Sequence, residues 1–180
     1  MMAKQKEYFD LRIESLRILG GWAADCAERA LWIYEEINGE DASPRDAING
    51  IRVFSEGGKR SARLRVLALD AYRASLATKD PAASAAAQAA SLAAASAYTH
   101  PLVDVRQTKH ILGPAAYAAL AIEIKNNNDP IFGNREVRWA IDTAQKEICE
   151  ILVNMPNRTE GRSRIDRIMY DLDKGLRNKY

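Results

Sequence analysis

The sequence predicts an all-α protein of about seven helices, packed as an irregular bundle or a layered array. Apolar residues recur at three- and four-residue steps through most of the chain, and no segment shows the sustained two-residue alternation of a strand. Glycine and proline cluster at a few positions, which divide the chain into helical segments. We expect the 180 residues to form a single domain, because no composition shift marks a boundary.

The first three helices are predicted within residues 11–77. Residues 11–37 carry a broad apolar face, and the adjacent Gly20-Gly21 is expected to kink or split this helix. Ser43-Pro44 begins the second helix with a capping residue and a proline in the first turn. The third helix covers residues 61–77 and turns its small and leucine side chains inward.

Alanine dominates the central helix, which begins at Asp80-Pro81 and contains eleven alanines up to Ala97. Alanine has the highest helix propensity but contributes little apolar area. Such a helix is stable mainly when other helices press close against it, so we expect it at the centre of the fold. A short helix near 102–112 and another over 114–124 are predicted next, separated by Gly113-Pro114.

The C-terminal third predicts a turn followed by two helices. Residues 126–130 read as the turn, because three asparagines precede Asp129-Pro130. Apolar residues at helical spacing predict one long amphipathic helix over 134–154 and a final helix over 163–176.

The composition is that of an ordinary globular protein, with 47% hydrophobic and 28% charged residues. A net charge of +2 is too small to indicate nucleic acid by itself. No run is apolar enough for a membrane span, and the N-terminus lacks the apolar core of a signal peptide, so we expect a cytoplasmic protein with no membrane partner. Cys26 and Cys149 are then expected to be reduced and buried.

The two histidines and a nearby acid form the first candidate site: His100, Asp104 and His110. One helical turn separates His100 from Asp104, so their side chains would touch if this segment were helical. Such a cluster would suit a metal ion or proton transfer. The alternative is structural, with His100 orienting a helix start and His110 in the core or an interface.

A second candidate cluster lies on the first helix and contains Trp22, Asp25, Glu28 and Arg29. These positions are helical neighbours, so two acids beside a tryptophan could line a pocket or hold a basic partner. A buried tryptophan with a salt-bridged flank explains the same spacing. In the alternative hypothesis of an enzyme or metal site, Asp25 and Glu28 would act together with His100, Asp104 and His110.

Two basic stretches, residues 59–73 and 158–167, are candidates for phosphate contacts. Acids dilute the second stretch, and no aromatic interleaving or nucleic-acid motif accompanies either, so a solvated helix face is the preferred interpretation. Eight acids between Asp25 and Glu56 precede the first basic stretch, and this asymmetry could steer a charged partner or support a homo-oligomer. The sequence has no phosphate-binding glycine loop, Cys-x-x-Cys pair or His-Glu-x-x-His motif, so no cofactor or catalytic residue is predicted.

Three blocks of the sequence carry a family resemblance: the Trp-Ala-Ala-Asp-Cys-Ala-Glu string at residues 22–28, the helix start at 43–48, and the alanine-rich stretch that leads through His100 to residues 110–119. Over residues 11–125 the chain resembles a bacterial family of putative immunity proteins, the Imm-five-like domain. The proline after the first histidine departs from the family pattern.

The resemblance implies a helical, non-enzymatic protein that binds and neutralises a toxin of a polymorphic or contact-dependent system. No catalytic residues are implied. The matched blocks, with the neighbouring arginine, nominate seven core or partner-contact positions: Trp22, Asp25, Glu28, Arg29, His100, His110 and Tyr117. A metal-binding or catalytic helical protein and a nucleic-acid-binding protein stay as the alternatives.

Overall fold

The computed structural model describes residues 6–180, and its regular elements are helices together with one isolated β-bridge. The all-α prediction is confirmed. Eight α-helices occupy this range, where the sequence predicted about seven. Their bounds are α1 Ile13–Ile37, α2 Ser43–Ser55, α3 Ala62–Ala77, α4 Pro81–Ala95, α5 Thr108–Lys125, α6 Pro130–Thr143, α7 Lys146–Val153 and α8 Arg164–Arg177.

The alanine-rich helix α4 contacts α1, α2, α3 and α5. It begins where the sequence predicted, because the Asp80 carboxylate accepts a hydrogen bond from the Ala83 N–H at 2.8 Å and Pro81 occupies the first turn. All nine alanines from Ala82 to Ala94 are buried. A methyl side chain projects so little that neighbouring helices can approach the α4 backbone from several directions.

Helix α1 continues through Gly20 and Gly21, so the glycine pair does not split it as expected. A Cβ on Gly20 would lie 2.9 Å from the Cδ1 of Ile51, and one on Gly21 would lie 3.6 Å from the Cβ of Ser55. Both contacts are with α2, so the glycines allow α2 to approach α1 closely. That packing offsets a loss of helix propensity of about 1 kcal/mol per glycine relative to alanine.

The prediction of two helices over 102–112 and 114–124 is wrong, because α5 runs through Pro114. Proline removes one backbone N–H from a helix interior and usually kinks or breaks it. Here the adjacent Gly113 lies against α4, where a Cβ would come 2.6 Å from the Cδ1 of Leu92. Close packing on α4 stabilises the helix across the proline, while Val105–Gln107 forms only a 3₁₀ turn before α5.

The single long helix predicted over 134–154 is also wrong, since it is divided into α6 and α7. Ala144 and Gln145 have extended backbones, with ψ angles of 131° and 159°. The ammonium group of Lys179, beyond the end of α8, donates a hydrogen bond to the Ala144 carbonyl at 2.6 Å. This remote contact satisfies a carbonyl at the break, and local periodicity could not reveal it.

Helix α8 packs on α5, α6 and α7. Ser163, where the sequence predicted the helix to begin, caps it by accepting a hydrogen bond from the Asp166 N–H at 3.2 Å. The Arg164 guanidinium donates to both oxygens of the buried Glu123 carboxylate, at 2.8 and 2.7 Å. This bidentate pair joins the C-terminal helix to α5, which lies near the centre of the fold.

The segment before α1 pairs with the segment between α4 and α5. The Phe9 N–H donates to the Pro101 carbonyl at 3.1 Å, and the Val103 N–H donates to the Glu7 carbonyl at 2.9 Å. Around these bonds, Tyr8 and Leu102 form an isolated antiparallel bridge. The chain beside His100 is therefore extended.

Within residues 6–180 no helix has both the length and the apolar character needed to cross a membrane. Cys26 and Cys149 are buried free thiols, as the sequence predicted. Burial raises the pKa of both thiols, so both are protonated near neutral pH. The expectation that the chain lacks a signal peptide depends partly on Met1–Gln5, which lie outside the described residues.

Candidate partner-binding surfaces

The four candidates on α1, here called the α1 cluster, are Trp22, Asp25, Glu28 and Arg29. Trp22 is only 5% exposed, and its indole Nε1 donates a hydrogen bond to the Ala140 carbonyl of α6 at 3.0 Å. A buried indole needs such a partner for its N–H. Trp22 therefore fastens α1 to α6, and its ring is not available to an external partner.

Arg29 makes the second link between α1 and α6. Its Nε and Nη2 donate to the two oxygens of Glu136, a carboxylate whose side chain is 6% exposed, and the guanidinium also lies 4.2 Å from the ring centre of Trp139. The hydrogen bond with Glu136 raises the pKa of Arg29. The positive charge of Arg29 is therefore neutralised by Glu136 within the protein.

Asp25 and Glu28 are paired with arginines of α2. The Arg52 guanidinium donates to Asp25 at 2.7 Å, and that of Arg45 donates to Glu28 at 2.5 Å and to Glu35 at 2.8 Å. These pairs are partly exposed, so each contributes only about 0–1 kcal/mol to stability. The α1 cluster as a whole matches the salt-bridged alternative proposed from the sequence.

His100 and Asp104 do not share a helical turn, so the geometry expected from their spacing is wrong. The Nδ1 of His100 accepts a hydrogen bond from the Leu102 N–H at 3.2 Å, within the extended segment that Pro101 and the β-bridge impose. The Arg106 guanidinium donates to both oxygens of Asp104 and lowers the pKa of that carboxyl to about 2. Asp104 caps the 3₁₀ turn before α5.

His110 lies farther along, on α5, where it lines a groove formed with α3 and α4. Its Nδ1 is buried without a hydrogen-bond partner, and burial, followed by the charge of Lys109, lowers its pKa. In the described part of the chain, no three His, Cys, Asp or Glu side chains converge as metal ligands would. The acids of α1, His100 and His110 lie in separate surroundings, so the alternative enzyme or metal site is not assembled in one cleft.

Tyr117 is half-buried on α5, two turns beyond His110 and on the same side of the helix. It lines a cleft with basic residues that include Lys109 and Arg158. Burial raises the pKa of Tyr117, and the nearby Asp166 and Tyr72 raise it further. Of the seven candidates, His110 and Tyr117 therefore lie along surface clefts, away from the contacts among α1, α2 and α6.

Arginines of the second basic stretch, residues 158–167, form hydrogen bonds and ion pairs within the protein. The Arg158 guanidinium donates to the Thr108 hydroxyl at 2.8 Å, Arg164 binds Glu123, and Arg167 donates to the carbonyl of Arg162 at 3.0 Å. These contacts order the 156–163 connection and the start of α8. They leave the first basic stretch, on and before α3, as the more open of the two.

Sequence reasoning missed the outer face of α3. Its inward residues were predicted correctly, but Leu69, Tyr72 and Leu76 are exposed on the adjacent side of the helix. They follow one another at three- and four-residue steps, as a second apolar stripe would. That spacing was visible in the sequence, and it could have identified this face.

The largest cavity described, about 600 Å³, lies between the N-terminal segment, α7 and the end of α8. Acidic and basic side chains alternate around it, including Lys146, Glu147, Glu150 and Arg177. Its Cys149 is a protonated, buried thiol, which makes it a poor nucleophile. The cavity therefore offers mixed charge without a reactive pair.

Comparison with known proteins identifies one family. The family model described as "Imm-5 like putative immunity protein" matches residues 11–147. The match reaches from the start of α1 into α7 and so extends beyond the 11–125 range indicated by the sequence blocks. Neither the curated proteins nor the solved structures provide a match to the chain.

Proposed function

The chain belongs to the family of Imm-5 like putative immunity proteins, and from that membership we propose that it binds a bacterial toxin and neutralises it without catalysis. The family match over residues 11–147 carries the proposal. The toxin would come from a polymorphic or contact-dependent system. The protein would act in the cytoplasm, where such a toxin meets its target.

The charge arrangement supports a binding role over a catalytic one. A general acid–base pair needs two titratable groups within reach of one substrate position. Here the acids of α1 bind arginines of α2, Asp104 binds Arg106, and His110 lies in a groove without a carboxylate among its lining residues. These groups serve as links between elements or as parts of a surface.

The proposed mechanism is occlusion. A rigid helical surface covers the active site of the toxin, and the affinity comes from shape and charge complementarity rather than from any reaction. A stable complex of this kind typically buries about 1,600 Å² of total surface. Eight packed helices supply a preformed surface, which limits the ordering cost of association.

A titration in cells and in solution tests this proposal. We expect the adjacent reading frame to encode a toxin domain, and we expect co-expression of this protein to restore growth of cells that produce that domain. With both proteins purified, toxin activity should fall linearly and vanish near one equivalent. Neutralisation by far less than one equivalent would show turnover instead of occlusion, and failure to restore growth or to bind would refute the immunity role.

A further inference from the structure

Helix α3 carries more exposed large hydrophobic residues than any other helix among residues 6–180. Thirteen large hydrophobic residues are exposed among residues 6–180, and four of them lie on this one helix: Val66, Leu69, Tyr72 and Leu76. The other nine are distributed over the rest of the chain. Single exposed apolar residues are normal, whereas a cluster indicates a contact surface.

Three of the four form a stripe. Leu69, Tyr72 and Leu76 are spaced by three and four residues, so their side chains lie on one side of α3. Leu76 is the most exposed, at 68% of its surface. An amphipathic helix normally buries one such stripe, and α3 already buries Leu64, Ala68 and Ala71 against its neighbours. The second stripe stays 41–68% exposed.

The stripe borders a groove of about 410 Å³, here called the α3 groove, between α3, α4 and the start of α5. Its lining is mainly apolar and includes Leu69, Tyr72, Leu92, Ala95, Tyr98 and His110. The Ser91 hydroxyl in its floor donates to the Ala68 carbonyl at 2.8 Å and is therefore satisfied. The groove is suited to apolar side chains.

Cationic side chains lie in or near this groove: Arg65 is part of its lining, Arg60 contacts the lining residue Tyr98, and Lys109 lines the neighbouring cleft with Tyr117. The Arg65 guanidinium lies 4.3 Å from the ring centre of Tyr98, and that of Arg60 lies 5.7 Å from the same ring. Lys109 is exposed beside His110. The ion pairs formed among residues 6–180 include none with these three cations. The nearby Asp70 is paired with Arg73 at 2.9 Å, so the rim is positive.

We propose that the α3 groove is the surface on which the toxin docks, and that the toxin segment presents apolar side chains flanked by carboxylates. This inference rests on the proposed toxin-neutralising function. Apolar residues would enter the groove and cover Leu69, Tyr72 and Leu76. Carboxylates would pair with Arg60, Arg65 and Lys109, which would otherwise stay without acidic partners.

His110 gives the groove a polar contact. Its buried Nδ1 lacks a hydrogen-bond partner, and Pro114 cannot supply the N–H that would normally bond the His110 carbonyl. This Nδ1 is out of contact with solvent, so the exposed part of the imidazole is what a docked segment would meet. Tyr117, near Tyr72 on the same side of α5, extends the surface beyond the groove.

Substitutions on the stripe test the proposal. Leu69→Asp and Leu76→Asp introduce a negative charge where an acidic, apolar segment would dock. Val153→Asp is the matched control, because Val153 is also an exposed apolar residue of a helix but lies on α7. Binding of the purified toxin domain from the adjacent reading frame would be measured at low and high salt, and unfolding curves would establish that each variant is folded.

We expect both leucine variants to bind the toxin domain at least about 30-fold more weakly than the wild type, as loss of a central interface residue does. Val153→Asp should bind like the wild type. Association with the wild type should slow at high salt, because the rim is cationic. If Leu69→Asp is unstable, Leu76→Asp decides the result, since its side chain is the more exposed.

Four outcomes would overturn the inference in distinguishable ways. Full binding by both leucine variants would remove the groove from the interface and leave the immunity function standing. No binding by the wild type would refute the function itself. A homodimer that Leu76→Asp dissociates, or salt-sensitive binding of duplex DNA that Leu69→Asp abolishes, would assign the groove to a second copy or to nucleic acid instead.

Discussion

The α1 cluster and the α3 groove each combine an arginine with at least one aromatic side chain, but they differ in where those side chains find partners. Trp22 and Arg29 bind α6, and Asp25 and Glu28 bind α2. In the α3 groove, the apolar stripe faces outward and Arg65 contacts a ring without a carboxylate.

This difference separates a family signature from a functional surface. The Trp-Ala-Ala-Asp-Cys-Ala-Glu string is the most specific block of the resemblance, yet it is occupied by contacts that hold α1, α2 and α6 together. A surface that must bind a partner needs unsatisfied apolar area and charge, because these supply the affinity. Such a surface lies on α3, which the resemblance did not single out.

The largest effect expected from breaking the α1 cluster is that of Trp22→Ala. Removing this buried ring and its hydrogen bond should lower the free energy of unfolding by about 3–5 kcal/mol. Trp32→Ala is the control on the same helix, since Trp32 is 49% exposed, and should cost about 1 kcal/mol or less. Urea unfolding measures both, and equal costs would contradict the structural role of Trp22.

Glu136→Gln should give the next largest effect. It keeps the shape of the side chain but removes the charge that faces Arg29. Because the Arg29 side chain is about one-third exposed, solvent reduces the cost, and we expect a loss of about 1–2 kcal/mol in unfolding free energy. Glu150→Gln is the control in an exposed pair with Lys146 and should change stability by about 0.5 kcal/mol at most. A similar loss in both variants would mean that the Arg29–Glu136 pair has no special role.

A smaller effect is expected from the pH dependence of the α3 groove. The pKa of His110 is lowered from its ordinary value of 6.5, so the folded state favours the neutral ring. The resulting stability is present above pH 6.5 and is lost as the pH falls below it toward the lowered pKa. His110→Gln should therefore flatten stability against pH in this window, as urea unfolding at several pH values would show. An unchanged slope would contradict the burial of this imidazole, and His100→Gln is the control.

The smallest effect should come from Leu76→Ser. Its side chain is mostly exposed, so the unfolding free energy should stay within about 0.5 kcal/mol of the wild type. Leu64→Ser, on the buried side of the same helix, should cost several kcal/mol, about 2–5 by analogy with other leucine truncations. If Leu76→Ser proved equally costly, the stripe would belong to the core and could not serve as a docking surface.

Local signals in the sequence predicted most of the fold. Apolar periodicity identified the class, and the starts of α2, α4 and α8 were predicted within one residue of where the structure has them. Asp80 caps α4, but the cap predicted at Ser43 is wrong, because Ser43 is the first residue of α2 and Ala42 occupies the capping position without a side-chain hydrogen bond. The errors fall where distant contacts override a local signal. Gly20-Gly21 stays helical because α2 packs on it. The helix continues through Pro114 because α4 packs against Gly113. At the break after α6, the Ala144 carbonyl accepts a hydrogen bond from Lys179.

The candidate sites were predicted less well, because partners are a property of three-dimensional proximity. Spacing brought His100 and Asp104 together only on the assumption of a helix, and the β-bridge of Tyr8 with Leu102 removes that helix. Spacing also could not show that Arg52 would reach Asp25 from another helix. The sequence alone was enough to recognise the stripe on α3, but it could not show whether another helix covers that stripe.

By itself, the sequence determined an all-α chain, the starts of α2, α3, α4 and α8 to within one residue, and the family, since these depend on residue type and local spacing. Only the tertiary structure decided which charges are neutralised internally and which apolar face stays open. The physical reason is that helix propensity and capping act over a few residues, whereas burial and ion pairing depend on residues as distant in sequence as Arg29 and Glu136.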